Sequence, residues 1–497
     1  MRKWNALGIM YFALVLASTV RAQNTAGINN AALKGDYAFT FDGMTTGNGV
    51  NSTPFAAVGR FTSDGAGNLI NGELDANGFG AMEKAVAQPF TGTYSIGADN
   101  RGVMSLNIPG GGTLAFAMLA NGNAKFVEID ASGGHGTVGS GTMEKVDTTA
   151  FSTAKIAGDY AFGVAGFDQS NNRTAMAGRF TANGLGTFTN GAADLNLSGT
   201  FSTLNVLAGT YAVTDGATGR GILNMPPVVG GTPLNLNFVF YVVNAGKVFA
   251  METDAVSPLT PLLSGAVLQQ QTPTLGFSNA SLNGGVVFSF TGRSSGCGNA
   301  AGPAPNVFGG LLTADSIGTL TLTYDQNCGG APTSAAGLLG TYIVTSNGRA
   351  SIRVAGDFLV AYIVSPNQAF FIVPDSTVLF GFGEPQAPGS FTNSSVSGTY
   401  AGSTTTPATV NVVIFSGEFT ADGASPTGNM SGSEDIGAPS GASLGTAANA
   451  AYSISLSPTN GRGNVSGSMA GIVYVISPSK FVVVSSSTQP AILIFEH

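Results

Sequence analysis

Charged residues are scarce in this sequence. Only 9% of its 497 residues are Asp, Glu, Lys or Arg, and the formal net charge is −8. Binding to nucleic acid or to an anionic membrane surface depends on clustered Lys and Arg. Because the few charges are spread out and mostly acidic, we expect no nucleic-acid partner.

Histidine is nearly absent, with only His135 and His497 in the chain. Neither has the spacing of a metal ligand, and a serine triad needs a histidine base. The sequence also lacks a phosphate-binding loop, a dinucleotide fingerprint and a nucleophile elbow before a helix. We therefore predict no cofactor, no metal and no catalytic residue. A carbohydrate-active enzyme stays open as an alternative, because its paired carboxylates are assembled in space.

Long apolar runs are absent except near the start of the chain. A basic Met1-Arg2-Lys3 precedes an apolar run over residues 6–20, and Val20-Arg21-Ala22 fits a small-residue cleavage site. The run is short for a membrane span of about 20 residues. The pattern predicts a cleaved signal peptide over residues 1–22 and a secreted or cell-surface protein.

Cysteine is limited to Cys297 and Cys328. The first follows a predicted strand over residues 286–291, and the second follows one over residues 319–326. In an up-down-up meander these two positions lie at the same end of the sheet. We predict a disulfide between them, which an exported compartment permits.

Glycine is abundant, with 72 residues, and it marks an internal repeat. The motif Gly-Asp-Tyr-Ala-Phe opens two copies at Gly35 and Gly158, with weaker echoes at Gly284 and Gly398. Each copy continues with a Gly-x-Phe-Thr-like hairpin, a Gly-Thr-Tyr-like strand start and an Arg turn. The copies begin near residues 28, 151, 277 and 391. This spacing is the size of a domain rather than of a solenoid repeat.

Within each copy the hydrophobic pattern alternates as it does in β-strands. In the run over residues 114–118, Leu114, Phe116 and Met118 share one face while Ala115 and Ala117 share the other. The first copy shows such runs at 36–43, 54–62, 67–75, 84–90, 91–98, 102–108, 113–119 and 124–130, with a last one near 138–146. We predict an all-β protein of four tandem up-and-down meanders, each a roughly eight-stranded barrel, with a β-sandwich as the alternative. The predicted domains are residues 28–146, 151–271, 277–384 and 391–497.

An arginine recurs at one turn in every copy. The four residues are Arg101, Arg220, Arg349 and Arg462. Acidic residues recur as well, among them Asp75 and Asp194. Because the arginine persists in all four copies, we interpret it as a structural position that binds loop carbonyls or a carboxylate of its own copy. The alternative is a ligand-binding arginine at each barrel mouth.

The motif set resembles that of uncharacterised secreted bacterial proteins made of tandem β repeats. This resemblance covers almost all of residues 28–497 and implies export and β domains, without catalytic residues. The start Gly35-Asp36-Tyr37 is also similar to that of calycin-type barrels, which implies a small apolar ligand. We therefore expect an exported structural or interaction protein, with cell-surface or matrix components as partners. The alternatives are ligand-binding barrels, a carbohydrate-active enzyme and an outer-membrane barrel.

Overall fold

The chain forms four closed antiparallel barrels in tandem. The computed structural model describes residues 27–45, 53–78, 84–109, 111–130, 136–226, 228–229, 232–233, 236–297, 303–405 and 413–497. Each barrel has eight strands joined in sequence order, which confirms the predicted barrel architecture over the sandwich. The predicted signal peptide, residues 1–22, and His135 lie outside the described residues.

The first two barrels occupy the N-terminal half of the described chain. Barrel 1 consists of β1 (Gly35–Thr45), β2 (Pro54–Ser63), β3 (Asn68–Gly78), β4 (Ala85–Ile96), β5 (Arg101–Asn107), β6 (Thr113–Met118), β7 (Ala124–Glu128) and β8 (Thr137–Lys145). Barrel 2 consists of β9 (Ala157–Phe167), β10 (Arg173–Asn183), β11 (Thr187–Leu197), β12 (Thr200–Asp215), β13 (Arg220–Met225), β16 (Leu236–Asn244), β17 (Lys247–Glu252) and β18 (Leu262–Gln269). A small separate hairpin, β14 (Val228–Val229) and β15 (Thr232–Pro233), lies between β13 and β16 in the sequence.

The second pair of barrels repeats the same order. Barrel 3 consists of β19 (Asn283–Ser294), β20 (Ala304–Asp315), β21 (Thr319–Cys328), β22 (Ala331–Val344), β23 (Arg349–Val354), β24 (Asp357–Ser365), β25 (Gln368–Ile372) and β26 (Phe380–Pro385). Barrel 4 consists of β27 (Ser397–Thr404), β28 (Ile414–Asp422), β29 (Gly428–Ala438), β30 (Gly441–Ile454), β31 (Arg462–Gly467), β32 (Gly471–Ser477), β33 (Lys480–Ser485) and β34 (Ile492–Glu496). The described helices are short 3₁₀ turns at Asn30–Leu33, Thr148–Ala150, Thr153–Lys155, Asn279–Ser281 and Asn393–Ser395.

One strand prediction is wrong in barrel 1. The runs over residues 84–90 and 91–98 form a single strand, β4, because shifts in its register against β3 absorb the irregular stretch between them. The last run, near 138–146, is β8, which pairs with β1 and closes the barrel.

Aromatic side chains fill the barrel interiors. In barrel 1, Phe41 stacks on Phe126 with ring centroids 6.0 Å apart, and Tyr37 stacks on Phe61 at 5.5 Å. The connector residues Phe151, Phe277 and Phe391 are buried in the cores of barrels 2, 3 and 4 respectively. Each connector therefore contributes an apolar plug to the barrel that follows it.

The four barrels are arranged in a closed ring. The sixth and seventh strands of barrels 2, 3 and 4 pack against the first two strands of the barrel before, and β6–β8 of barrel 1 pack in a similar way against β27–β29 of barrel 4. We call these contacts the 1–2, 2–3, 3–4 and 4–1 junctions. Every barrel thus uses the same two faces, which is a head-to-tail contact that closes on itself.

Candidate functional site

The recurring arginines lie at the junctions. Each follows a residue with positive φ: Asn100 (59°), Gly219 (69°), Gly348 (87°) and Gly461 (82°). Glycine and asparagine tolerate this conformation best, which accounts for their place in the motif. The turn puts each arginine at the first position of a barrel's fifth strand, β5, β13, β23 or β31.

At the 1–2 junction, Arg220 of barrel 2 binds Asp75 of barrel 1 through two parallel hydrogen bonds. Its Nε lies 2.7 Å from Oδ2 and its Nη2 lies 2.8 Å from Oδ1. The hydroxyl of Tyr241, on the strand beside Arg220, donates to the same carboxylate at 2.8 Å. Two neighbouring strands of barrel 2 therefore hold one acidic side chain of barrel 1.

The same triad recurs at the next two junctions. Arg349 Nε and Nη2 bind Asp194 at 2.7 and 2.9 Å, and Tyr362 donates at 2.7 Å. The 3–4 junction has the corresponding set of Arg462, Asp325 and Tyr474. The expectation that each arginine binds within its own copy is wrong for these pairs, because the carboxylate belongs to the preceding barrel.

The aspartates of the triads are buried. The side chains of Asp75 and Asp194 are 1% and 0% exposed. The hydrogen bond that Arg220 donates to Asp75 raises the pKa of Arg220 above its ordinary value, and burial followed by the charge of Asp75 raises the pKa of Tyr241. Arginine thus stays charged and tyrosine stays protonated, so both remain donors at any ordinary pH.

An asparagine two residues after each of these aspartates adds a second link. Asn77 Nδ2 donates to the carbonyls of Glu252 and Asp254 at 3.0 and 2.9 Å. Asn196 and Asn327 make the equivalent pairs of bonds to barrels 3 and 4. Sequence reasoning missed these residues, although their fixed spacing from the aspartates was a signal that could have found them.

The 4–1 junction departs from this pattern. Arg101 Nη1 makes one bond to Asp435, at 2.8 Å, while its Nε binds Asp99 of its own barrel, also at 2.8 Å. The residue paired with Arg101 across the sheet is Ala117, where the other barrels have the triad tyrosine. Asp435 Oδ2 is buried without a hydrogen-bond partner. This junction therefore lacks the full triad.

The asparagine link is missing there as well. Gly437 occupies the position two residues after Asp435, and a Cβ placed on it would lie 2.4 Å from the Glu128 carbonyl oxygen. The buried apolar contacts are the small sets Ala115, Val127, Val138 and Ile414, and Ala117, Leu119 and Ala401. The buried apolar side chains of the 4–1 junction are thus smaller than those of the 1–2 junction, whose buried cluster includes Tyr241, Phe249 and Met251.

A charge cluster connects all four barrels. Its members are Lys125, Glu144, Lys247, Glu384, Lys480 and Glu496. Lys247 Nζ lies 2.7 Å from Glu144 Oε1, and Lys480 Nζ lies 2.8 Å from Glu384 Oε1. Burial lowers the pKa of Lys125, against the opposing influence of Glu496. Equal numbers of the two charges make this a structural cluster rather than an anion or cation site.

The predicted disulfide is present in barrel 3. Cys297 and Cys328 are bonded, with their Cα atoms 5.0 Å apart. The bond ties the loop after β19 to the last residue of β21. It therefore closes one side of the barrel rim.

A cavity of about 330 Å³ opens inside barrel 3 at this rim. Its walls are mainly apolar, and Phe308, Tyr324, Leu338 and Leu359 are only partly buried there. Barrels 1 and 2 place an acidic residue at the corresponding end of the interior. Burial, reinforced by Asp130, raises the pKa of Glu128 to about 8, and burial, reinforced by Asp254, raises the pKa of Glu252 to about 9.

Within the described residues, no group of His, Cys, Asp and Glu side chains could hold a metal ion. Asp64, in the turn after β2, accepts hydrogen bonds from the backbone N–H groups of Ala66 and Asn68, at 2.7 and 3.0 Å. Among the described helices, none is long and apolar enough to cross a membrane.

Comparison with known proteins does not identify a family for this chain. No family model and no curated protein matches the chain. Among solved structures, one match is the vaccine antigen transferrin binding protein B of Haemophilus parasuis Hp5, as the mutant Trp-176-Ala. The match has 11% identity, covers 95% of this chain and 96% of that one, and has a TM-score of 0.20. At that TM-score it supports no inference about function.

Proposed function

We propose that this protein is an exported structural or interaction protein of the cell surface or extracellular matrix. The observation that carries the proposal is the ring, in which four barrels are joined face to face by buried Arg–Asp contacts. Such a ring holds its loops in fixed relative positions, as a scaffold requires. The disulfide of barrel 3 adds support, since structural disulfides persist in oxidising compartments.

Fractionation of the organism of origin tests this proposal. A tagged full-length chain is expected in the culture medium or on the cell surface, where added protease reaches it on intact cells. A matched chain without residues 1–22 should stay inside the cell. Recovery of the full-length chain in the cytoplasm alone would contradict the proposal.

The cavity of barrel 3 favours a second candidate function, which is binding of a small apolar ligand. No contact described above favours the carbohydrate-active enzyme or the outer-membrane barrel, which stay alternatives from the sequence.

A further inference from the structure

The interior of barrel 3 differs from those of barrels 1 and 2 at matched positions. Leu359 pairs with Ile352 where barrel 2 pairs Phe238 with Leu223, so a smaller side chain replaces an aromatic ring. Val373 stands where barrels 1 and 2 have the buried acids Glu128 and Glu252. Both Leu359 and Val373 line the cavity. At this place barrel 3 therefore has less interior bulk than barrel 2, and it lacks the interior carboxyl group that barrels 1 and 2 both have.

The cavity has the form of a pocket with one mouth. Phe277 plugs the opposite end of the barrel, where it packs beneath the Arg turn at Gly348. A volume of about 330 Å³ lies at the small end of the range of about 300–1,000 Å³ typical of ligand sites. Partly exposed Phe308 and Tyr324, whose rings lie 5.4 Å apart, provide an aromatic wall. Leaving such apolar surface open to water is unfavourable, so an apolar occupant would be stabilised.

The mouth is polar and carries negative charge. Asn306 Nδ2 donates to Ser294 Oγ at 2.7 Å, and Gln326 Nε2 donates to Asn306 Oδ1 at 3.0 Å. The exposed carboxylates of Asp357 and Asp375 also line the cavity. An anionic head group would be repelled at this mouth, whereas a hydroxyl or an ammonium group would be accommodated.

We propose that barrel 3 binds one small apolar molecule whose polar end is neutral or positively charged. This deepens the second candidate function by assigning it to one barrel and one ligand class. It does not depend on where the protein resides, because binding is measured on the purified chain. If fractionation contradicted the proposed location, the binding measurement would still decide whether barrel 3 holds a ligand.

The test uses the fluorescent amine aminoanthracene as the probe. We expect saturable binding of one probe per full-length chain. Leu338 lines the cavity, whereas its neighbour Leu339 is 78% exposed on the outside of the barrel. Leu338→Trp should weaken probe binding by about tenfold or more, and Leu339→Trp should change it by less than about twofold. Because Leu338→Trp could disturb folding, Leu359→Phe provides a second filling variant that introduces the residue type barrel 2 carries there.

Competition with decyl compounds tests the charge preference. Decylamine and decanol should displace the probe, and decanoate should do so about tenfold less well. Replacing both acids at the mouth (Asp357→Asn, Asp375→Asn) should reduce the difference between decanoate and decylamine in how well they displace the probe. The absence of saturable probe binding, or unchanged binding in both filling variants, would overturn the site. Equal displacement by decanoate and decylamine would overturn the proposed ligand class.

Discussion

At the scale of single residues, the junction arginines show what repetition in a sequence can and cannot reveal. Recurrence identified the arginine position, and it also drew attention to Asp75 and Asp194. It could not pair them, because the aspartates that bind Arg220 and Arg349 lie in another copy, about a domain away in sequence. A pattern within one repeat contains no information on which repeat it faces.

Removal of one junction arginine should weaken its junction. Arg220→Ala would leave the carboxylate of Asp75 buried without its charged partner, which should cost roughly 3 kcal/mol in the free energy of unfolding. Arg220→Lys should recover little, because a lysine cannot make the two parallel bonds. Chemical denaturation of the full chain measures the loss. The control is Arg353→Ala, which removes an exposed arginine and should change the free energy of unfolding little.

The buried acid of barrel 2 should make stability depend on pH. With a folded-state pKa of about 9 against an ordinary value of 4.5, Glu252 keeps its proton in the folded protein after the unfolded chain has lost it. Its contribution to stability is therefore full below pH 4.5 and is lost as the pH rises toward about 9. Glu252→Gln should raise the melting temperature of barrel 2 at the alkaline end by roughly 5 °C and leave it unchanged at the acid end.

Asp357→Asn is the matched control for this prediction, since it removes an exposed carboxylate. If Glu252→Gln shifted the melting temperature equally at both ends of the pH range, the buried-acid explanation would be wrong.

At the scale of elements, hydrophobic alternation and turn motifs are sufficient to predict most of the strands. The exception is β4, for which the pattern predicts two strands because the bulged register breaks the alternation without ending the strand. The disulfide could be predicted because it depends only on the meander order of β19 and β21. The cavity of barrel 3 could not, because it depends on how differently sized side chains from several strands meet inside the barrel.

Loss of the disulfide should loosen barrel 3 alone. Its cysteines are 31 residues apart, and a cross-link of that span should contribute about 3 kcal/mol to the stability of its domain. A Cys297→Ala, Cys328→Ala double variant should show faster hydrogen exchange in strands β19–β22, with barrel 1 as the internal control. Unchanged exchange in barrel 3 would mean that its core alone sets its stability.

At the scale of the whole molecule, the four junctions use the same barrel faces but differ in the side chains and hydrogen bonds that join them. Three have the bidentate Arg–Asp–Tyr triad and the asparagine link, whereas the 4–1 junction has a single bond to Asp435 and small apolar side chains. We expect the 4–1 junction to open more readily than the others. Local openings of this kind occur where buried apolar contact is least.

Thiol labelling can compare two junctions directly, because both native cysteines are in the disulfide. Ala115 at the 4–1 junction and Ala177 at the 2–3 junction are each 0% exposed. The thiol of Ala115→Cys should react about tenfold faster than that of Ala177→Cys. Equal rates would show that the missing triad does not matter to the opening of the ring.

The same weak junction illustrates the role of effective concentration. Barrels 1 and 4 meet through a contact without a connecting peptide, unlike the three junctions between consecutive barrels. Those three junctions hold the two faces close together, as though each were present at millimolar concentration or above. A contact too weak to join two free proteins can therefore stay closed here. The 4–1 junction can therefore do without the tyrosine and the asparagine that the other three junctions have.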